Sequence, residues 1–231
     1  MDTDRGAALT GTPWPEYPRP SLRRDSFVNL NGEWDFAVGD PAIMPENFDR
    51  TIRVPFPPES KLSGIGQVFP EEQALYYRKN FTLPEEFVGR RVLLHFGAAD
   101  QRAWVYVNGL LAGTHTGGYT AFTLDITKLL RGGENILTVA VRDDTDTVPL
   151  SRGKQKTKRG GIWYTPQSGI WQTVWAEWVP ERYISALRIT PAVPEILAGK
   201  QRPADAGKRR LRRKRNKDLS VPVLRTCVGI R

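Results

Sequence analysis

Short segments in which apolar and polar residues alternate recur along the first 190 residues, and glycine, proline, asparagine or aspartate separates them. Alternation with period two predicts β-strands, because successive side chains of a strand point to opposite faces of a sheet. No long segment here has the helical period. The predicted strands are Gly32–Val38, Thr51–Val54, Leu75–Leu83, Arg91–Phe96, Ala103–Asn108, Ala121–Ile126, Ile136–Arg142, Ile170–Trp178 and Tyr183–Thr190.

Turn residues between these strands indicate an antiparallel arrangement. Asn108-Gly109 is the dipeptide that favours a two-residue type I′ turn, because both residues tolerate positive φ. A second turn is predicted at Arg131–Asn135. Many short strands with regular turns are typical of a sandwich or jelly roll. We therefore predict an all-β fold, a jelly-roll β-sandwich.

Composition divides the chain into three parts. Residues 1–21 include the proline-rich stretch Pro13–Pro20, which predicts an extended arm on the surface. Residues 22–195 hold the predicted strands and form the sandwich. Residues 196–231 contain the basic run Lys208–Lys217, whose like charges repel and which has little to bury. We predict a disordered basic carboxy-terminal tail there.

The charge of +9 is concentrated in that tail. Residues 196–231 hold 12 of the 34 lysines and arginines and 2 of the 25 acidic residues, whereas residues 1–195 carry a balance of −1. A global basic field is therefore no guide to function. The run Lys208–Lys217 has no interleaved aromatic residue, so it supports at most nonspecific nucleic-acid binding, which we rank last.

The sequence offers little for a disulfide bond, a metal site or a membrane-spanning segment. Cys227 is the single cysteine, and His95 and His115 are the two histidines, so neither an internal disulfide nor a zinc site is expected. No cofactor is predicted. The charged start of the chain and the lack of any apolar run of ~20 residues predict a cytoplasmic protein without a membrane partner.

Four segments occur in a characteristic order. They are Leu30–Phe36, Val54–Pro55 followed by Tyr76–Pro84, the stretch from Val107 to Thr127 that contains Gly117-Gly118-Tyr119, and Ser168–Glu177. Together these segments resemble the amino-terminal sugar-binding domain of glycoside hydrolase family 2, which includes β-galactosidases and β-glucuronidases. The resemblance extends from about Pro13 to Pro194 and implies a galactose-binding-domain-like jelly roll that binds carbohydrate.

The resemblance also implies a reaction that this chain lacks the parts to perform. Members of the family hydrolyse β-glycosidic O-linkages with retention, using two glutamates on a later TIM barrel. The acid/base glutamate of the family follows an asparagine, and this sequence has no Asn-Glu dipeptide. We therefore assign no catalytic residue and predict a truncated family member that is inactive by itself.

A polar and aromatic loop, Ser151–Gln167, is the predicted ligand contact. In the family this loop narrows the substrate pocket and usually bears an aspartate six residues before the glycine of Gly-Ile. Here that position is Trp163, which stacks on a pyranose but accepts no hydroxyl hydrogen. The candidate substrate-binding residues are Arg152, Lys154, Gln155, Trp163, Tyr164 and Gln167. The competing interpretation is a loop that only packs against a further domain.

Other conspicuous side chains have simpler explanations. His115 is expected to hydrogen-bond a backbone carbonyl in the Gly117-Gly118 loop. Three aspartates that follow a predicted strand are expected to form a solvated loop instead of a catalytic pair: Asp143, Asp144 and Asp146. Four tryptophans are expected to be core or sheet-surface residues: Trp104, Trp171, Trp175 and Trp178.

Two further hypotheses remain open from the sequence. A freestanding carbohydrate-binding module is the main alternative function. Self-association is predicted through apolar groups exposed on the loop ending at Tyr164 and on the strand Trp171–Trp178. For the tail, the abrupt end of the resemblance after Glu195 favours out-of-frame translation, with a natural appendage as the alternative.

Overall fold

The computed structural model describes residues 4–19, 22–191 and 224–230. The chain divides into two compact units, Met1–Pro180 and Glu181–Arg231. In the first unit the strands are β1 (Phe27–Asn29), β2 (Gly32–Gly39), β3 (Arg50–Val54), β4 (Ala74–Thr82), β5 (Arg91–Phe96), β6 (Ala99–Asp100), β7 (Arg102–Val107), β8 (Leu110–Thr116), β9 (Phe122–Asp125), β10 (Glu134–Arg142), β11 (Gly169–Ile170) and β12 (Val174–Val179). Helical segments are the four-residue helix α1 (Asp4–Ala7) and the 3-10 turns Lys61–Ser63, Glu85–Phe87 and Thr127–Leu129.

Two main antiparallel sheets form the first unit. One has four strands in the order β1-β12-β5-β9, and the other has six in the order β3-β2-β4-β10-β7-β8. Strands β6 and β11 pair separately at Asp100 and Gly169. The predicted all-β sandwich is confirmed.

A single large hydrophobic cluster joins the two sheets. Trp34 and Phe36 of β2 and Leu94 and Phe96 of β5 belong to it, and each is at most 1% exposed. The Trp34 ring meets the Tyr77 ring edge-on, with centroids 6.5 Å apart. Burial of each such side chain contributes roughly 1.5–3 kcal/mol, so this shared core holds the sheets together.

The hairpin turn follows its prediction. Asn108 and Gly109 have φ of 53° and 82°, as a type I′ turn requires, and they join β7 to β8. The Asn108 amide also donates to Leu129 O and to Asn135 Oδ1, both at 2.8 Å. The turn is therefore tied to the loop that precedes β10.

One predicted strand is broken in two. The segment Ile170–Trp178 divides into β11 and β12, and the residues from Trp171 to Thr173 belong to neither. At the break, Trp171 Nε1 donates to Gly118 O at 2.7 Å, and Gly97 N donates to Thr173 O at 2.9 Å. The single strand was a wrong prediction, because these contacts bend the chain towards distant loops.

The amino-terminal arm contacts the first unit through its backbone. Pro13 O accepts from Asn31 Nδ2 at 2.9 Å, and Trp14 O accepts from Asn29 Nδ2 at 2.7 Å. Helix α1 was not anticipated in the extended arm. These bonds fix the arm beside the end of β1.

The second unit contains an antiparallel pair, β13 (Ile184–Pro191) and β14 (Leu224–Ile230). The predicted strand Tyr183–Thr190 corresponds to β13. Strand β14 lies in the segment predicted to be a disordered tail, and the sequence analysis placed no strand there. The rest of that tail, including Lys208–Lys217, lies outside the described residues. Within the described ranges no helix is long and apolar enough to cross a membrane.

Candidate functional site

The loop that follows β10 folds back on itself between residues 154 and 164. Tyr164 N donates to Lys154 O at 2.8 Å, and Lys156 N donates to Tyr164 O at 3.2 Å. At the tip, Gly160 and Trp163 exchange backbone hydrogen bonds of 3.1 and 3.0 Å. Gly161 has φ of 59°, a left-handed conformation that glycine adopts without steric cost. Backbone hydrogen bonds within the loop thus fix its conformation and the positions from which its side chains extend.

Gln155 joins the two ends of this loop to each other and to the sandwich through hydrogen bonds; we call this region the base of the loop. Its Nε2 donates to Tyr119 OH at 2.7 Å and to Asp100 Oδ2 at 3.3 Å, while its Oε1 accepts from Gln167 N. These bonds use both donor hydrogens of the Gln155 amide and one of the two lone pairs of its oxygen. Gln155 is therefore bonded at the base of the loop, and its contact with a ligand stays a prediction.

Further anchors lie at Ser168, where the loop ends, and at Thr157 within it. Ser168 Oγ donates to Glu59 Oε1 at 2.6 Å, and Ser168 N lies 3.2 Å from Glu59 Oε2. Thr157 Oγ1 contacts Glu71 Oε1 at 2.8 Å and Asp146 Oδ1 at 2.9 Å. Carboxylates from separate parts of the chain thereby hold the loop against the sandwich.

Gly118 lies where a larger residue has no room. A Cβ at this position would collide with the Asp100 carboxylate. The carbonyl of Gly118 accepts from Trp171 Nε1 at 2.7 Å, and the Trp171 ring meets Tyr119 edge-on at 5.8 Å. Gly118 is more than a turn residue, since it brings the Tyr119 hydroxyl to the base of the loop.

Three carboxyl groups lie at these anchors, two of them buried, Asp100 and Asp143, and one half-buried, Glu59. Burial, the largest cause, raises the pKa of Glu59 to about 7, that of Asp100 to about 7 and that of Asp143 to about 6. Mutual repulsion adds to the effect, because Asp143 raises the pKa values of both Glu59 and Asp100. The carboxyl groups at the base of the loop therefore titrate closer to neutral pH than free carboxyl groups do.

The solvated-loop prediction for the three aspartates is wrong for two of them. Asp143 and Asp144 are 8% and 5% exposed. Asp143 Oδ1 accepts from Thr145 N at 2.7 Å, and Asp144 pairs with Arg102 and Arg142 at 3.2 and 3.0 Å. Local backbone bonds and two arginines from β7 and β10 compensate their burial.

The upper part of the loop exposes an aromatic side chain and several cations. Tyr164 is 63% exposed, and the Lys154 ammonium lies 5.8 Å from its ring centroid. Trp163 is half-buried, with Lys156 4.8 Å from its ring. Lys154, Tyr164 and Gln167 are thus exposed candidates, and Arg152 and Trp163 are partly accessible. Gln155 has intermediate exposure as well, and its amide is engaged in the bonds given above.

His115 has the simple role expected of it. Its Nε2 lies 3.0 Å from Gly117 O, and its ring stacks on Phe122 at 4.2 Å. The predicted backbone contact is confirmed.

A second buried polar cluster was missed from the sequence. Glu177 of β12 is fully buried, and it accepts from Tyr17 OH at 2.8 Å and from Arg24 Nη1 at 2.7 Å. Burial by itself would raise the pKa of Glu177, but hydrogen bonds from His95 and Tyr17 and nearby positive charge lower it to about 2. The one available signal was an acidic residue in an otherwise apolar strand, and its partners are some 150 residues away.

Taken with the sandwich, this loop defines a β-sandwich domain with an ordered, aromatic and basic loop at its surface. The family described as "Glycosyl hydrolases family 2, sugar binding domain" matches residues 52–175, more than half of the chain. The chain belongs to glycoside hydrolase family 2 and contains its sugar-binding domain.

Individual relatives agree with this assignment. A β-galactosidase of Thermoanaerobacter pseudethanolicus is 32% identical over an alignment of 193 residues, which covers 75% of this chain and 25% of that protein. A β-glucuronidase of Paenibacillus borealis is 28% identical, over 61% of this chain and 25% of that protein. The chain thus spans about a quarter of the length of these two relatives.

Solved structures give the same fold. A β-glucuronidase of Bifidobacterium dentium complexed with coumarin-3-O-glucuronide is 26% identical, with a TM-score of 0.54 over 74% of this chain and 33% of that one. A β-glucuronidase of an uncultured Clostridium has a TM-score of 0.58 at 22% identity, over 75% of this chain and 33% of that one.

Proposed function

We propose that the first unit binds a β-linked saccharide through the exposed face of the loop between residues 151 and 168, and that it does not cleave the sugar. The exposed Tyr164 ring beside Lys154, on a loop fastened by Gln155, is the observation that supports this proposal. An aromatic ring stacks on the apolar face of a pyranose, and an ammonium group donates to its hydroxyls. Arg152, Trp163 and Gln167 extend the same contact.

Binding without hydrolysis follows from the placement of the carboxyls. A retaining glycosidase needs two carboxyl groups about 5 Å apart across one open site. The loop from 151 to 168 has no acidic residue. The buried Asp100 and Asp143 face Gln155 and Thr145. We therefore propose that the glycosidase relatives use the corresponding domain for sugar contact, while their chemistry belongs elsewhere.

Titration calorimetry with β-linked oligosaccharides of glucose, galactose, mannose and glucuronic acid tests the binding. We expect weak affinity, with a Kd near or above ~1 mM, because one exposed loop supplies few contacts. A Kd well below ~1 mM favours the alternative of a freestanding carbohydrate-binding module. The absence of any binding at tens of millimolar contradicts the proposal.

Hydrolysis is tested separately with nitrophenyl β-galactoside, β-glucuronide and β-mannoside. No turnover is expected from the purified chain. Turnover that disappears when an acidic residue of this chain is replaced overturns the non-catalytic proposal.

Self-association stays a prediction. The exposure of apolar side chains agrees with it on the loop but not at Trp175 of the strand. Ile162 and Tyr164 are 65% and 63% exposed, whereas Trp175 is 2% exposed. The strand half of the predicted apolar surface is therefore covered at Trp175. Sedimentation at high concentration tests whether the loop alone promotes association. A cytoplasmic location likewise stays a prediction from the sequence.

A further inference from the structure

The loop carries a concentration of positive charge beyond the predicted contacts. Five cationic residues fall within eight positions: Arg152, Lys154, Lys156, Lys158 and Arg159. No acidic residue occurs between Asp146 and Glu177. Residues 1–195 as a whole carry a balance of −1, so this cluster stands out against a nearly neutral body.

These cations are not neutralised by ion pairs. Among the described residues, none of the five forms a salt bridge, and Arg159 Nη1 instead donates to Thr165 Oγ1 at 3.2 Å. The acidic groups near this stretch are Asp146 and Glu71, which both contact Thr157. The pKa of Asp146 is lowered by its hydrogen bond with Thr157 and by the charges of Lys156 and Arg152. Two carboxylates against five cations leave an excess of positive charge on the exposed part of the loop.

Two of these cations lie close to aromatic rings of the same loop. Lys154 lies over Tyr164 at 5.8 Å, and Lys156 lies over Trp163 at 4.8 Å. A pyranose that contacts such a ring therefore lies within reach of an ammonium group, which can bind a hydroxymethyl or a carboxylate on its C5. A hydroxymethyl there gains one neutral hydrogen bond, whereas a carboxylate gains a charge-assisted one that is about twice as strong.

We infer that the saccharide bound by this loop is anionic, with a carboxylate or sulfate group, and that Lys154, Lys156, Lys158 and Arg159 select it over its neutral counterpart. This inference rests on the proposed sugar binding and adds the charge class of the ligand. A nucleic acid is a different polyanion, but of the two aromatic rings between residues 151 and 168 Trp163 is half-buried, which leaves Tyr164, 63% exposed, as the accessible ring of the loop for stacking.

The test compares tetrasaccharides that differ only at C6, β-1,4-linked mannuronic acid and β-1,4-linked mannose, at about 20 and 200 mM NaCl. We expect the acidic sugar to bind roughly tenfold tighter at low salt, and we expect this advantage to shrink at high salt. Chondroitin tetrasaccharides with and without sulfate, which carry the same carboxylates, show whether sulfate adds to the affinity.

The matched variants are Lys158→Gln/Arg159→Gln in the loop and Lys61→Gln/Lys128→Gln at exposed lysines elsewhere. The loop variant should lose most of the preference for the acidic sugar and keep its affinity for the neutral one. The control variant should behave like the parent protein.

The outcomes separate the two proposals. Equal binding of acidic and neutral sugars, or an unchanged preference in the loop variant, overturns the charge inference and leaves sugar binding intact. If neither sugar binds, sugar binding itself fails and the charge inference fails with it. A thymidine oligonucleotide that binds more tightly than the acidic saccharide at equal charge overturns the saccharide assignment in favour of nucleic acid.

Discussion

The Nε2 atom of His95 lies 3.0 Å from Oε1 of Glu177, and both side chains are buried. The other ring nitrogen of His95 lies 2.9 Å from Nη2 of Arg19, a group that only donates. Nδ1 therefore accepts, and the proton of the neutral ring sits on Nε2, facing the carboxylate. Because burial lowers the pKa of His95, the ring is neutral near pH 7 and Glu177 is the anion that binds Arg19 and Arg24.

Replacing Glu177 by glutamine should release the segment between residues 17 and 24 from the sheet. The change leaves Arg19 and Arg24 beside a neutral group, and breaking a buried ion pair typically costs about 3–5 kcal/mol. We expect a lower free energy of unfolding in urea and faster proteolysis within this segment. The exposed Glu86→Gln variant serves as the control. Unchanged stability and cleavage in Glu177→Gln would show that the cluster does not hold the arm.

The same carboxylate predicts an acid limit to stability. The pKa of Glu177 is lowered to about 2 in the folded chain, below its ordinary value of 4.5. Its contribution is therefore complete above about pH 4.5 and is lost as the pH falls towards 2. The parent protein should lose stability in this window by more than Glu177→Gln does, as measured by urea unfolding at each pH. Parallel pH profiles contradict the assignment.

For Asp100 we predict the opposite dependence of stability on pH. Its folded pKa of about 7 lies above the ordinary 3.8, so ionisation opposes folding and stability falls as the pH rises from about 4 to 7. Asp100→Asn should become more stable relative to the parent protein across this range, by roughly 1–3 kcal/mol at pH 8. Asp25→Asn, at an exposed carboxylate, is the control. A difference that does not vary with pH rules out this explanation.

Gly118→Ala tests the close approach of this glycine to Asp100. The added Cβ has no space, and overpacking of this kind typically costs about 1–3 kcal/mol. Gly132→Ala is the matched control, because a Cβ at Gly132 would meet no heavy atom within 4 Å. Thermal unfolding should show a lower Tm for the first variant and little change for the second. Equal Tm values would mean that the Gly118 loop adapts freely.

Gln155→Ala should loosen the base of the loop. It removes bonds to Asp100, Tyr119 and the Gln167 amide, each worth about 0.5–1.5 kcal/mol. Hydrogen exchange should accelerate at the Gln167 and Tyr164 amides, while β10 keeps its protection. Gln73→Ala, at an exposed glutamine, is the control. Unchanged hydrogen exchange in the loop would show that contacts other than those of Gln155 hold the loop in place.

The sheets were largely predictable because their periodicity is local. Strand β7 alternates between half-buried and buried residues, and Arg91–Phe96 is strand β5 with the predicted bounds. The break between β11 and β12 was not predictable, since Trp171 bends towards Gly118, 53 residues earlier in the chain. Apolar residues on both sides of that break give the sequence a continuous strand pattern.

The sequence predicted that the candidate site is a loop, but it did not predict which side chains of the loop are exposed and which are bonded to the rest of the domain. Its length and aromatic content indicated an exposed surface. The engagement of Gln155 depends on Asp100 and Tyr119, which lie 55 and 36 residues away. No local pattern distinguishes a glutamine that fastens a loop from one that contacts a ligand.

The most direct test of the account is an NMR titration that follows the indole N–H signals of the seven tryptophans as a β-linked tetrasaccharide is added. The Trp163 signal, assigned with Trp163→Phe, should shift progressively with sugar concentration. Signals of buried rings such as Trp34 should stay in place. A titration in which the Trp163 signal is unmoved at tens of millimolar sugar, or in which only other tryptophans respond, contradicts sugar binding at this loop.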